Sequence, residues 1–182
     1  GRPAKQILIG SGSCSPVTSG QIAWALENGF AEVPLDTAAL MNPKTATAEI
    51  HTAATTAASF LNVGRSVIVH TTKNGSDKNV AAKLKSRTAK VLGTALGEVL
   101  RGAVAQSAVR RICIAGGDTS SYAARALGIE ALEIIAPLTP GAPLCLALAP
   151  DSPVDGLEIV FKGGQVGGEN YFGIVKSGKV RP

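Results

Sequence analysis

Two segments of the chain combine glycines with hydroxyl side chains in a way that could hold a phosphate group. The first, GSGSCSP at residues 10–16, follows a short apolar run, and Ser15 before Pro16 is a favourable N-cap and first-turn pair for a helix. A helix N-terminus favours anions through its unpaired N–H groups and its dipole, and small residues such as Ser13 allow a close approach. An ordinary tight turn between a strand and a helix would use the same residues, so this alternative stays open.

The second segment is AGGDTSS at residues 115–121, again between an apolar run and a helical pattern. Asp118 or Thr119 can cap the helix. Asp118 could instead lie near a Mg²⁺ ion held by phosphates, because Mg²⁺ prefers a few carboxylates together with phosphate oxygens. Capping alone would explain Asp118 and Thr119, but it would not explain why Gly116 and Gly117 precede them.

A third loop reads FKGGQVGG at residues 161–168 and places Lys162 beside Gly163 and Gly164. Four glycines and a lysine could wrap an anionic ligand and meet it with one positive charge. A long hairpin turn with a solvated Lys162 is the alternative. None of the three loops matches the P-loop pattern, and the first has Ser15 where a dinucleotide-binding GxGxxG motif has its third glycine.

The apolar periodicity alternates between two kinds along the chain. Strands rich in Ile and Val are predicted at residues 5–10, 31–35, 66–70, 111–115 and 133–137, and helices at 17–28, 45–61, 78–105 and 119–127. Two later apolar runs, 143–149 and 157–161, have no helix between them and suggest a hairpin or edge strands. This order predicts one α/β domain over residues 1–182, with a mostly parallel, mixed sheet, helices on both faces and a Rossmann-like three-layer architecture. The three loops follow the carboxyl ends of strands, where open α/β sheets bind ligands.

Composition excludes several classes of protein. The 182 residues carry a net charge of +5, with 45% hydrophobic and only 4% aromatic residues, so single-stranded nucleic acid would find few stacking platforms and we expect no nucleic-acid partner. We expect no membrane span and no protein-held metal site, since His51 and His70 each lack a ligand partner at i+4. Three scattered cysteines favour reduced thiols in a cytoplasmic protein. Because the chain begins at Gly1, we expect it to be a fragment of a longer protein.

Half of the basic residues cluster between residues 73 and 111, where only two acidic residues accompany them. A solvated helix face explains this pattern, and a weak attraction for anionic ligands follows in either case. The basic residues in this cluster are Lys73, Lys78, Lys83, Lys85, Arg87, Lys90, Arg101, Arg110 and Arg111.

The motifs GSCSPVTSGQI, AGGDTSSYAARALGI and FKGGQVGGENYFGIV occur in this order, and together they resemble the C-terminal nucleotide-binding domain of the four-carbon acid sugar kinases. The resemblance covers residues 7–176. It implies ATP-dependent phosphorylation of threonate, erythronate or a 3-oxo-tetronate at the terminal hydroxyl. It also implies ATP contacts at Ser13, Ser15, Gly116, Gly117, Asp118, Thr119, Gly163 and Gly164, to which Lys162 could add charge near the phosphates.

The sequence departs from that family in two respects. The second motif commonly reads GGETSG, whereas Asp118 and Ser121 stand here in place of the glutamate and the last glycine. The paired-aspartate motif of the family's N-terminal domain, which supplies the sugar-acid site and the catalytic base, does not occur in these 182 residues. The resemblance therefore implies that the sugar acid and the catalytic residues belong to a domain outside this chain.

Two other functions stay open on the sequence. The pair Gly10 and Gly12 before a helix, with Asp36 after the second strand, would suit an NAD(P)-dependent oxidoreductase domain. A non-catalytic regulatory or assembly module, whose loops are only turns, is the third reading. A homodimer is compatible with each of these.

Overall fold

The computed structural model describes residues 1–71 and 85–179, with the side chains of the long fourth helix described from residue 88 onward. The strands are β1 Leu8–Ser11, β2 Ala31–Pro34, β3 Val67–His70, β4 Arg111–Ala115, β5 Ala131–Thr139, β6 Ala142–Leu148 and β7 Glu158–Lys162. The helices of the described part are α1 Pro16–Glu27, α2 Thr37–Met41, α3 Ala46–Asn62, α4 Lys85–Ala105, α5 Asp118–Ala126 and α6 Tyr171–Ser177. Within these ranges no helix is both long enough and apolar enough to cross a membrane.

The seven strands form one mixed sheet in the order β2-β3-β1-β4-β7-β6-β5. Parallel pairing joins β2, β3, β1, β4 and β7. Because β6 pairs antiparallel with both β5 and β7, it runs against the other strands of this sheet. The mostly parallel, mixed sheet predicted from the sequence is therefore confirmed.

Successive side chains of the central strands enter two different cores, as expected for strands buried on both faces. Leu8 lies in the core that contains residues of α3, α4 and α5. Ile9 lies in the opposite core, with Ile22 of α1 and Phe172 of α6. Helices thus cover both faces of the sheet, and the predicted three-layer architecture is confirmed.

The C-terminal half of the sheet differs from the prediction in one respect. The runs 143–149 and 157–161 do form neighbouring antiparallel strands, but neither is an edge strand: β7 lies between β4 and β6, and β6 between β7 and β5. The edge strand on this side of the sheet is β5, which was predicted as residues 133–137 and spans residues 131–139. Its residues 131–135 are exposed despite their apolar composition.

The predicted helices at 17–28, 45–61 and 119–127 are present to within one residue at each end. The predicted start of the helix 78–105 lies outside the described residues, as do Lys73, Lys78 and Lys83 of the basic cluster. The short helices α2 and α6 were not predicted, because five or seven residues give too little periodicity to recognise.

Helix α5 packs unusually close to α4, because two glycines of α4 face it. A Cβ atom on Gly93 would lie 2.8 Å from the Thr119 carbonyl oxygen, and one on Gly97 would lie 2.6 Å from that of Ala123. Both neighbours are backbone atoms, which cannot rotate away as a side chain could. The two glycines therefore set how closely α5, and with it the loop that precedes α5, approaches α4.

We predict opposite effects of glycine-to-alanine substitution at two helical positions. Gly97→Ala should lower the free energy of unfolding by about 1–3 kcal/mol, because overpacking against α5 forces the helices apart. Gly20→Ala in α1, where a Cβ meets nothing within 4 Å, should raise it by about 0.5–1 kcal/mol through helix propensity. Urea denaturation followed by circular dichroism measures both. An unchanged or higher stability of Gly97→Ala would contradict the close packing of α4 and α5.

Candidate functional site

The first loop leads from β1 into α1 through a series of side-chain hydrogen bonds. Ser13 is buried, and its Oγ accepts the backbone N–H of Ser15 at 3.2 Å. The Oγ of Ser15 in turn accepts the N–H of Val17 at 3.2 Å, so Ser15 is the N-cap of α1. The predicted capping pair of Ser15 and Pro16 is confirmed, and the loop has a fixed shape before any ligand is considered.

The second loop differs from the expected capping arrangement. The N-cap of α5 is Gly117, and Asp118 and Thr119 are the first two helical residues. Among the described residues no side chain caps this helix end. The Asp118 side chain is exposed instead, at a helix start whose first N–H groups have no partner within the helix. The idea that Asp118 or Thr119 serves only as a cap is therefore wrong.

Backbone hydrogen bonds hold the loops next to one another. The N–H of Gly12 donates to the Ala115 carbonyl at 3.0 Å, and the N–H of Gly116 donates to the Lys162 carbonyl at 3.0 Å. These bonds continue the β1–β4 and β4–β7 pairing by one step beyond the strands. The three loops consequently start side by side at the carboxyl edge of the sheet.

The loops also touch through their smallest residues. A Cβ atom on Gly12 would lie 2.5 Å from Thr119 Oγ1, and one on Gly116 would lie 2.6 Å from the same atom. A Cβ atom on Gly164 would lie 2.7 Å from Ser13 Oγ. The structure therefore brings the predicted residues of all three loops into one place: Ser13, Ser15, Gly116, Gly117, Asp118, Thr119, Lys162, Gly163 and Gly164.

Lys162 lies beneath this meeting point and not in solvent, since its exposed fraction is 1%. Its Nζ donates to Thr18 Oγ1 at 2.9 Å and lies 5.6 Å from the centre of the Tyr171 ring. Burial lowers the pKa of Lys162, and the nearby Cys113 partly opposes that shift. Burial also raises the pKa of Cys113 to about 12, so the thiol stays neutral at physiological pH. The alternative of a solvated Lys162 is wrong.

Sequence reasoning missed two polar residues of α1 that support the site. Thr18 Oγ1 donates to the Gly164 carbonyl at 2.8 Å. Gln21 Nε2 lies 2.9, 3.1 and 3.0 Å from the carbonyl oxygens of residues 166, 167 and 168. Both side chains are fully buried. A signal was present: they precede Ile22 and Ala25 on the core-facing side of the helix, where apolar residues are the rule.

The strand order disfavours the dinucleotide-binding alternative. In that fold the acidic residue follows a strand adjacent to the one that carries the glycine loop. Here β3 lies between β1 and β2, which separates them by about 10 Å at the usual strand spacing. Asp36 instead caps α2, where its Oδ1 accepts the N–H of Ala39 at 3.0 Å. Its position is explained without a ribose.

Comparison with known proteins gives consistent results. Residues 8–172 match the family model described as the nucleotide-binding C-terminal domain. A 3-oxo-isoapionate kinase of Paraburkholderia graminis is 40% identical over 98% of this chain, and a 3-oxo-tetronate kinase of Pseudomonas savastanoi is 29% identical over 93%. The chain spans only 40% and 39% of the lengths of these relatives.

The fold has a counterpart among solved structures. A Haemophilus influenzae protein assigned to the family model DUF1537 superposes with a TM-score of 0.72 over 97% of this chain and 41% of its own, at 21% identity. That superposition concerns the fold, whereas the family assignment depends on the sequence match over nearly the whole chain. The three glycine loops, their meeting at the carboxyl edge of the sheet and this match agree, and the chain belongs to the family of nucleotide-binding C-terminal domains.

Proposed function

We propose that this chain binds ATP with Mg²⁺ as the nucleotide-binding part of a kinase that phosphorylates an acid sugar at its terminal hydroxyl. The observation that carries the proposal is the contact of all three glycine loops at the carboxyl edge of β1, β4 and β7. Ligands of open α/β sheets bind at this edge. The names of the relatives support acid-sugar phosphorylation, and both name a 3-oxo acid. Threonate and erythronate remain within the proposed substrate class.

In phosphoryl transfer the protein itself forms few covalent bonds. Phosphoryl transfer is catalysed mainly by positioning the reactants and stabilising charge. The unpaired N–H groups at the start of α5, beside Gly117, are donors for phosphate oxygens. Ser15 Oγ accepts the Val17 N–H, so its own O–H can donate to the ligand. The base and the attacking hydroxyl would come from the part of the protein outside this chain.

The residues at the start of α5 also fit Mg²⁺. Asp118 presents an exposed carboxylate in the first helical turn, next to the donors proposed for the phosphates. Carboxylate and phosphate oxygens are the ligands that Mg²⁺ prefers, often with intervening water. When bound, the ion would neutralise charge on the phosphates, and Asp118 would orient it.

A cytoplasmic location is part of the proposal. The three cysteines, Cys14, Cys113 and Cys145, form no disulfide. Disulfides are rare in the reducing cytoplasm, so this state suits a cytoplasmic protein.

The nucleotide proposal is tested by titrating a non-hydrolysable ATP analogue with Mg²⁺ into the chain by isothermal calorimetry. Wild type should bind saturably, and Gly117→Val should bind at least about tenfold more weakly, equivalent to about 1.4 kcal/mol. A Cβ on Gly117 would meet no described residue within 4 Å, so the larger side chain is proposed to enter the space of the ligand without disturbing the described core. Gly20→Ala, with equal room in α1, is the matched control and should bind like wild type.

Three results would count against this proposal. A folded wild type that binds no ATP analogue would contradict it for this chain. Equal affinity of the Gly117→Val variant would place the phosphates elsewhere. NAD(H) displacing the analogue would revive the oxidoreductase alternative.

We also expect no sugar-acid kinase turnover from this chain alone, because the base and the acid-sugar site are proposed to lie outside it. A coupled assay of ADP release with threonate, erythronate and 3-oxo-tetronate checks this. ATP-dependent turnover above the rate without protein would contradict the proposed division between this chain and the rest of the enzyme.

A homodimer is proposed through the β5 edge of the sheet. Of the six exposed large apolar residues in the described part, four lie on β5 and β6: Leu132, Ile134, Ile135 and Leu148. Clustered exposed apolar surface marks interaction sites, and an open edge strand invites another strand. Two copies of β5 could pair antiparallel about a twofold axis.

Light scattering after size exclusion tests the dimer. Wild type should elute as a dimer, and Ile134→Lys should elute as a monomer because it places a charge in the proposed interface. Val63→Lys is the control: Val63 is 73% exposed, similar to Ile134 at 69%, but it follows α3 and is far from β5 in the sheet order. A monomeric wild type, or an Ile134→Lys dimer, would contradict the interface.

A further inference from the structure

We propose that Lys162 is a positioning residue and not a phosphate ligand: with Thr18 and Gln21 it forms a buried polar clamp that fixes the glycine loop 163–168 against the first loop. This inference rests on the proposed function, since it names what holds one wall of the proposed nucleotide site. It assigns a role to two α1 residues outside the three glycine loops and changes the role expected for Lys162.

The clamp begins with a directional chain of hydrogen bonds. Lys162 Nζ donates to Thr18 Oγ1 at 2.9 Å, and Thr18 Oγ1 donates to the Gly164 carbonyl at 2.8 Å. An ammonium group has only donors, whereas a hydroxyl can accept one bond while donating another. Thr18 is therefore the group that transmits the position of Lys162 to Gly164.

This series of hydrogen bonds affects the proposed nucleotide site through the position of Gly164. A Cβ on Gly164 would lie 2.7 Å from Ser13 Oγ and 3.0 Å from Ser15 Cβ, so the loop already touches the first loop without a side chain. A shift of Gly164 away from these residues would open a gap between two walls of the site. Gly164 has no room to move closer to Ser13 and Ser15.

The surroundings of the ammonium group separate it from the ligand side. Lys162 pairs with Ala115 across β4 and β7, and Ala115 points into the core under α1 and α6. Tyr171 and Cys113 belong to the same core, and both lie near the ammonium. The lowered pKa of Lys162 agrees with this desolvated position.

Gln21 holds the far part of the loop. Its Nε2 reaches the carbonyl oxygens of three successive residues, 166–168, while its buried Oε1 finds no hydrogen-bond partner in the described protein. A buried acceptor without a hydrogen-bond partner destabilises a fold. The unpaired acceptor belongs to Gln21, whose amide group joins α1 to these carbonyl oxygens. This arrangement supports a specific role of Gln21 in holding the loop.

A loop of this composition needs such a clamp. Residues 163, 164, 167 and 168 are glycines, and Gly167 has φ +85°. Glycine loses more conformational freedom on ordering than any other residue. Contacts from Thr18 and Gln21 order the loop before ligand binding, so that binding does not have to supply that entropy.

The test compares Thr18→Val, Thr18→Ser, Lys162→Met and the double variant Thr18→Val with Lys162→Met. Hydrogen exchange of amides 163–168 is measured without ligand, and affinity for the Mg²⁺–ATP analogue by calorimetry. Thr18→Val and Lys162→Met should each speed exchange of the loop at least tenfold and weaken binding at least tenfold. The double variant should be no worse than the worse single one, because both act through Gly164. Thr18→Ser keeps the hydroxyl and should restore wild-type exchange and affinity.

Thr56→Val, on the exposed side of α3, is the matched control and should change neither measurement; its hydroxyl bonds only within its own helix. Thermal unfolding of every variant reports whether the fold persists. Weakened binding of Lys162→Met with wild-type behaviour of Thr18→Val would make Lys162 a direct ligand and overturn the clamp. Additive effects in the double variant, or unchanged exchange in both single variants, would also overturn it. Because exchange is read without ligand, it decides the clamp even if wild type binds no nucleotide, a result that would refute only the proposed function.

Discussion

Everything at the site depends on the parallel pairing of β1, β4 and β7. Their backbone ladders place three strand ends in a row, and one further hydrogen bond at each junction extends the pairing into the loops. Strands paired in this way lie about 4.8 Å apart. Loops that are distant in the sequence therefore start beside one another, with the second loop between the first and the third.

This close approach explains part of the glycine content of the loops. The glycines fall into two groups, those that packing between loops requires and those that it does not. A side chain on Gly12 or Gly116 would collide with Thr119, so these glycines are required by packing between loops. In the part of the chain that the structure describes, a Cβ on Gly117 would meet nothing within 4 Å, and one on Gly163 would meet its nearest neighbour at 3.5 Å. Packing between the described residues does not require glycine at these two positions. A ligand that approaches the backbone closely would explain it.

The side of the sheet under α1 has an unusual interior. Lys162, Thr18 and Gln21 are buried together beside apolar residues of α1 and α6. Burying a charge is costly unless hydrogen bonds compensate for the lost solvation. The polar groups lie directly beneath the glycine loop, whose carbonyl oxygens are the acceptors. Ser15 of the first loop thus caps helix α1, and the buried face of α1 anchors the third loop.

The sequence alone was sufficient to locate the longer helices, the strands and the three loops. Apolar runs of Ile and Val gave β4 to the residue, and the pair of Ser15 and Pro16 gave the start of α1, because both depend on short-range preferences that are visible locally. The glycine loops could be placed after strands for the same reason. The order of the strands could not be read, since pairing partners are chosen by packing between distant segments.

The roles of individual residues followed the same division. Asp36 looked like a ribose-binding acid until the strand order placed β3 between β1 and β2. Asp118 looked like a possible cap, but the N-cap is Gly117 and Asp118 is the first helical residue. The sequence left Lys162 either near the phosphates or solvated, and only the tertiary structure shows that it is buried. Local chemistry thus determined which residues could act, whereas burial and contact, which arise only when distant segments pack, decided what each of them does.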